Sequence, residues 1–365
     1  MQDPDKISLN FILSTGRTGS TLLTTMLNMH PQMLSTFEEP FAYNLYQKYN
    51  SKTDWDDQLI KEFCYDFYLF SEGKLEPQFG KKEDLIKILT AHKSGLTGAK
   101  AIKLAYFAFL PNKDKSEVTV VIDKQVKIHP VLSELITFYP KSKFIVLYRD
   151  ARDNSLVKYK RSFKQKRKRS LYYFAKIWNH EYKILNRETG KISSERVLKI
   201  KYEELVENPE KTLILISSFF KVPFDAAMLN YDEKFKENIS SSSTSISHSV
   251  IDNLLLFHEG LSQKVNTKKV GVWKTELKEK EYNMIWSVCK STLLKSGYKA
   301  ENCKSFFYFR VNMLPDFLRF YITRVILPFL YYKTPYSIRY LIKKVMYNKK
   351  FKGSKWTSQT FYQKS

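Results

Sequence analysis

Residues Leu9-Asn10-Phe11-Ile12-Leu13-Ser14-Thr15-Gly16-Arg17-Thr18-Gly19-Ser20-Thr21-Leu22-Leu23-Thr24-Thr25-Met26-Leu27 decide the fold. The apolar run Leu9 to Leu13 has strand length. Leu22, Leu23, Met26 and Leu27 recur at helical spacing. Between the two runs lies a polar turn with two glycines, Gly16 and Gly19, which let a backbone bend sharply and approach a ligand closely. The stretch therefore reads as strand, turn, helix. The first amides of such a helix lack intrahelical partners and sit at the positive end of its dipole. An anion is the natural occupant.

The turn is not a Walker A loop, because Gly19 is followed by Ser20-Thr21 rather than by Lys and a hydroxyl residue. Its own cation is Arg17. A triphosphate site also calls for magnesium and carboxylates, whereas a less charged anion can be held by Arg, hydroxyls and amides. Composition agrees with an anionic ligand. The chain of 365 residues carries a formal net charge of +24, which attracts a nucleotide, an acidic membrane face or nucleic acid. A hydrophobic fraction of 43% supports a sizeable core and excludes a disordered chain. Cys64, Cys289 and Cys303 form no metal or disulfide pattern.

Gly16-Arg17-Thr18-Gly19-Ser20-Thr21-Leu22-Leu23 resembles the 5′-phosphosulfate loop of sulfotransferases that use 3′-phosphoadenosine 5′-phosphosulfate (PAPS). Further segments carry the resemblance. Lys143 to Tyr148 reads as a buried strand and runs into Arg149-Asp150-Ala151-Arg152-Asp153, similar to the family's 3′-phosphate segment. An Arg beyond a strand's carboxyl end can grip phosphate with two hydrogen bonds. The resemblance assigns that role to Arg149 and Arg161. The family's Ser eight residues after the leading Arg is Val157 here, and Ser155 is the nearest hydroxyl. Tyr202-Glu203-Glu204-Leu205 through Pro209 is similar to a structural family segment, and Lys268-Lys269-Val270-Gly271-Val272-Trp273-Lys274 to a basic loop that closes over the 3′-phosphate, with Lys268 and Lys269 as its cations.

The resemblance implies an α/β fold of the nucleotide-binding type, with a mostly parallel sheet flanked by helices and a helical C-terminal extension. It implies PAPS as donor, adenosine 3′,5′-bisphosphate as product and no metal. Arg17 would stabilise charge developing on the leaving phosphate, with Gly16, Thr18, Gly19, Ser20 and Thr21 around it. In Phe37-Glu38-Glu39-Pro40, Glu39 matches the family's general base better than Glu38; a helix-terminal acid pair is the alternative. Asp123-Lys124 followed by His129-Pro130 is similar to another sulfotransferase segment, with Gln125-Val126 replacing Thr-Pro.

Elsewhere, helices are expected over 41–49, 55–70, 83–92 and 171–188, and strands at 118–123 and 196–201. Gly98 to Ala105 is expected to be a buried strand carrying Lys103. His30 to Phe41 is expected to be a loop, and Ser240 to Ser249 a flexible one. The basic run from Lys158 to Arg169 lacks acids and comes with no nucleic-acid recognition motif, so it reads as attracting phosphate and acceptor. The resemblance covers residues 9–298 and makes 1–298 one domain. The remainder, 299–365, is basic and aromatic, and its apolar runs are broken at Pro328, short of a bilayer span. It reads as helices lying on an anionic membrane surface or packed on the core. No leader or anchor is evident, so a cytoplasmic or membrane-peripheral location is expected. The expected acceptor is a hydroxyl or amine of a small molecule, lipid or glycan. The competing readings are a P-loop kinase and a non-enzymatic membrane- or RNA-binding protein.

Overall fold

The computed structural model describes residues 3–36, 41–70, 82–109, 113–165, 169–232, 263–301, 303–304 and 311–351. Five strands form one parallel sheet: β1 (Ser8–Ser14), β2 (Met33–Thr36), β3 (Val120–Gln125), β4 (Phe144–Tyr148) and β5 (Val197–Lys201), in the spatial order β2-β3-β1-β4-β5. Ser8 to Leu13 pair with Val120 to Gln125 on one side of β1, and Phe11 to Ser14 pair with Phe144 to Leu147 on the other. The chain winds outward from β1 to β2 and later crosses back from β3 to β4. The carboxyl end of β1 is therefore the switch point of the sheet, where open α/β folds place their ligands.

Alternation along the strands splits the core into two layers. Ile12, Val120, Ile122, Ile145, Leu147 and Ile200 face α1 (Ser20–Leu27) and a helix at Pro209–Phe220. Leu9, Phe11, Leu13, Val121, Phe144 and Val146 face the opposite layer. That layer contains α2 (Phe41–Tyr49), α3 (Asp57–Phe70), α4 (Lys82–Ala91), α5 (Gly98–Ala105), α6 (Leu132–Phe138), α7 (Ala151–Lys164) and α8 (Leu171–Thr189). Both faces of the sheet are covered, and β4, Phe144-Ile145-Val146-Leu147-Tyr148, accordingly reads as an unbroken apolar run.

Two expectations are corrected. Gly98 to Ala105 is helix α5, not a strand. The Thr97 side chain accepts the Lys100 amide at 3.3 Å and caps its start. Ala, Leu and Lys favour the helix, and a short apolar run does not distinguish the two forms by periodicity. Gly98 has a separate reason: a Cβ there would lie 2.0 Å from the Tyr49 carbonyl oxygen, so only glycine lets α5 meet the end of α2. Lys103 accordingly donates to the Pro4 carbonyl at 3.3 Å, at the amino end of β1 and away from the turn. The second correction is β2, which occupies part of the expected loop. Its outer edge is blunted by Asn28, whose amide exchanges two hydrogen bonds with the Ser35 backbone at 2.7 and 2.8 Å.

The Ser240–Ser249 stretch lies outside the described residues. No helix among the described residues is long and apolar enough to cross a membrane.

Candidate active site

The turn between β1 and α1 takes its shape from two left-handed residues, Gly19 at φ 81° and Arg17 at φ 72°. Gly19 is the N-cap of α1. A Cβ on Gly19 would sit 2.4 Å from Cδ2 of Tyr202, so glycine is required twice over, by dihedral and by space. Gly16 is different: its φ is not positive and open space surrounds its Cβ position. The strained residue is Arg17, a conformation that costs an L-residue about 1–2 kcal/mol and that such loops retain at functional sites. The Thr18 hydroxyl donates to the Thr15 carbonyl at 3.0 Å and braces the bend. Ser20 and Thr21 open α1 beside it.

The lysine missing from the loop sequence is supplied from two other elements. Lys124, on β3, donates to the Thr21 hydroxyl at 3.2 Å, although its side chain is almost wholly buried. Lys158, on α7, donates to the Thr15 hydroxyl at 3.3 Å. Protein atoms crowd the Lys158 ammonium, and this desolvation pulls its pKa down to about 8, with Arg324 and Arg17 adding repulsion and Glu181 opposing them. Asn154, one turn before Lys158, donates to the Gly16 and Arg17 carbonyls at 3.1 and 3.2 Å. Residues 154, 158 and 161 share one face of α7, so Arg161 continues this stripe. Sequence reasoning passed over Asn154 and took Lys158 only as the start of a basic run that attracts phosphate; the spacing of four after a strand end was the available signal.

The segment around Arg149 gathers behind the turn. Arg149 leaves β4 and donates to the Arg17 carbonyl at 3.1 Å and to the Lys269 carbonyl at 2.7 Å. Its guanidinium stacks 4.5 Å from the Tyr202 ring centroid, and its Nε is buried without a partner. The basic loop is held there by Asp153, whose carboxylate accepts the Gly271 and Trp273 amides at 2.7 and 2.9 Å. Lys268 and Lys269 are thereby presented, exposed, next to Arg149. Arg152 serves the scaffold instead: it pairs with Asp150 and lies 3.8 Å over the Trp273 ring. Ser155 is fully buried and its hydroxyl is unpartnered.

A buried polar cluster lies on the other side of Lys158. His129, just past β3, is 7% exposed and its Nε2 has no partner. Its ring meets His180 edge-on at 5.9 Å. Burial lowers both imidazole pKa values, that of His180 to about 4. Glu181 is buried in the same neighbourhood. Burial thus disfavours the charged form of His129, and its Nε2 lies without a partner. Glu38 and Glu39 lie outside the described residues.

The sulfotransferase family model matches residues 10–226, and the chain belongs to that family. The chain is similar to a protein-tyrosine sulfotransferase of Drosophila melanogaster, 28% identical over 103 residues, which is 28% of this chain and 21% of the fly protein. It is also similar to protein-tyrosine sulfotransferase A of Caenorhabditis elegans, 23% identical over 246 residues, 64% of this chain and 54% of that one. The chain thus spans about half the length, or less, of these relatives. A solved sulfotransferase domain from the curacin biosynthetic pathway is similar over 80% of this chain and 98% of that one, at 18% identity and a TM-score of 0.49.

Proposed function

We propose that the chain transfers the sulfuryl group of PAPS to a hydroxyl or amine of a lipid or glycan acceptor. The observation that supports this most directly is the convergence of Lys124 and Lys158 on the hydroxyls of a lysine-free anion loop. The donor set fits a phosphosulfate: helix amides, two ammoniums, the Ser20 and Thr21 hydroxyls and Arg17. When bound, PAPS supplies an activated sulfuryl group on a phosphate leaving group.

The chain's own residues then do the following. The α1 amides, Lys124 and Lys158 neutralise the 5′ end. Arg149, Arg161, Lys268 and Lys269 take the 3′-phosphate, the group that separates PAPS from ATP. Arg17 offsets charge developing on the leaving phosphate. Glu39 or His129 removes the acceptor proton; the unpartnered, buried Nε2 favours His129, and the family pattern favours Glu39.

The test is calorimetry with adenosine 3′,5′-bisphosphate, without magnesium, beside ATP and AMP. Micromolar binding that falls at least tenfold in Arg149→Ala, with ATP much poorer, is the expected result. A preference for ATP with magnesium would instead establish a kinase-type site and overturn the proposal.

A further inference from the structure

The C-terminal extension is two-faced. One face is stitched to the core. Asp316 accepts the Ser170 amide at 2.8 Å, Thr323 bonds the Tyr173 hydroxyl at 3.1 Å, and Phe320 is buried with Tyr173, Phe174 and Ile177. Arg339 is 2% exposed and sits among the rings of Tyr43, Tyr331, Tyr332 and Tyr336. The helix Tyr336–Phe351 is therefore anchored to α2 rather than loose.

The other face is apolar and open. All but four of the exposed large hydrophobic side chains among the described residues fall between 311 and 345; the exceptions are Phe163, Ile214, Leu215 and Leu294. Leu318, Ile322, Phe329, Leu330, Leu341 and Val345 are each about half exposed. Leu314–Phe320, a π-helical turn Tyr321–Ile326 and Leu327–Lys333 follow one another without a break, so Leu318, Ile322, Phe329 and Leu330 lie along one continuous helical stretch, and Leu341 and Val345 lie on the last helix. Monomeric proteins rarely leave so much contiguous apolar surface uncovered.

Charge decides what covers it. Apart from Arg339, which is buried, and Arg324, which lies close to Lys158, the stretch 311–351 carries Arg319, Lys333, Lys343, Lys344, Lys349 and Lys350 against a single acid, Asp316. That acid is already engaged, by the Ser170 amide and by Arg319 at 3.1 Å. A second copy of this chain would bring the same basic face and a net charge of +24 against itself, a poor match. An anionic bilayer matches both halves of the pattern, with apolar side chains entering the acyl boundary and basic ones resting among headgroups. We propose that the C-terminal extension docks this protein on an anionic bilayer surface. The docking itself stands apart from the sulfotransferase reading. Only its use, bringing the site to a membrane-borne acceptor, rests on that reading.

The test is sedimentation of the full chain with phosphatidylcholine vesicles, with and without one-third phosphatidylserine. We expect at least tenfold stronger binding to the anionic vesicles, weakening in high salt. Leu330→Glu/Leu341→Glu and, separately, Lys333→Glu/Lys344→Glu should each lose at least tenfold in that binding. All four side chains are exposed, and unchanged affinity for adenosine 3′,5′-bisphosphate shows that each variant is folded and reads the nucleotide site independently. Equal binding to neutral and anionic vesicles, no binding to either, or binding that both variants keep would overturn the proposal. So would a concentration-dependent dimer in sedimentation equilibrium that Leu330→Glu/Leu341→Glu abolishes, because the apolar face would then serve a second copy.

Discussion

Replacing Gly19 with alanine should be among the most damaging single-methyl changes available in this chain. The substitution places an L-residue at φ 81°, which costs about 1–2 kcal/mol. Its Cβ would also lie 2.4 and 2.9 Å from Cδ2 and Cε2 of Tyr202. That ring cannot retreat freely, since it is 7% exposed and carries the Arg149 guanidinium at 4.5 Å on its face. Forcing a methyl into such a site costs about 1–3 kcal/mol. The two contributions together give about 2–5 kcal/mol, a large share of a domain stability of roughly 5–15 kcal/mol. Urea unfolding of Gly19→Ala, Tyr202→Ala and the double variant separates them. In the Tyr202→Ala background the clash is gone, so Gly19→Ala should cost only the dihedral share, about 1–2 kcal/mol. Affinity for adenosine 3′,5′-bisphosphate should fall in Gly19→Ala as well, because Arg149 moves with the ring. Costs that add to within about 0.5 kcal/mol would refute the claim that Tyr202 forms the wall of the loop.

Two further predictions concern pH. Asp123 is buried on β3 and accepts from Tyr106 at 2.7 Å and Gln125 at 2.9 Å; burial pushes its pKa up to about 7. The folded state therefore holds this proton where the unfolded chain, with an Asp pKa near ~3.9, has lost it. Its contribution to stability is largest near pH 4, falls as pH rises to about 7, and is level above that. Melting temperatures from pH 4.5 to 8 should show Asp123→Asn gaining on the wild type as pH rises; parallel curves would discard the idea. Lys158 has the opposite sign. Its native pKa of about 8 lies below the unfolded value, so its ammonium burdens the fold below that pH, and the burden lifts as pH rises through 8. A bound anion should restore the charge. Calorimetry at pH 8.5 in buffers of differing ionisation enthalpy should show proton uptake with adenosine 3′,5′-bisphosphate. Lys158→Met should lose that uptake and bind roughly tenfold or more weakly, the worth of a hydrogen bond to a charged group. Identical uptake by both proteins would rule Lys158 out of the site.

The turn and its flanks were legible because strand, glycine and helix signals are local: residues 8–27 are strand, turn and helix as their periodicity implies. The approach of Lys268-Lys269 to Arg149 is not local. It depends on Asp153 accepting the Gly271 and Trp273 amides across more than a hundred residues, and only a family pattern suggested it. Gly98 to Ala105 misled because eight apolar-rich residues fit either a strand or a helix; the Thr97 cap and the contact of Gly98 with Tyr49 decide it, and the second of these is tertiary. β2 was hidden by its length, four residues at a sheet edge. His129 was visible as His-Pro after a strand, but its burial beside His180, which lowers its pKa, belongs to the packing of α8 against that turn.

The way the site obtains its cations has a consequence for how it forms. A Walker-type loop carries its lysine within the loop, so its charge is present as soon as the local turn folds. Here Lys124 arrives on β3 and Lys158 on α7. Neither reaches the loop until β3 has paired with β1 from Ser8 to Leu13 and α7 has been laid against the turn by Asn154. The Lys158 ammonium is brought close to Arg17 and Arg324 with little solvent to screen them. The surroundings of Lys158 are thus a point of repulsion that the fold tolerates and a bound anion would relieve. Anion binding should therefore stabilise the first two turns of α7 more than the loop's own backbone, because α7 carries Lys158 and bears that repulsion.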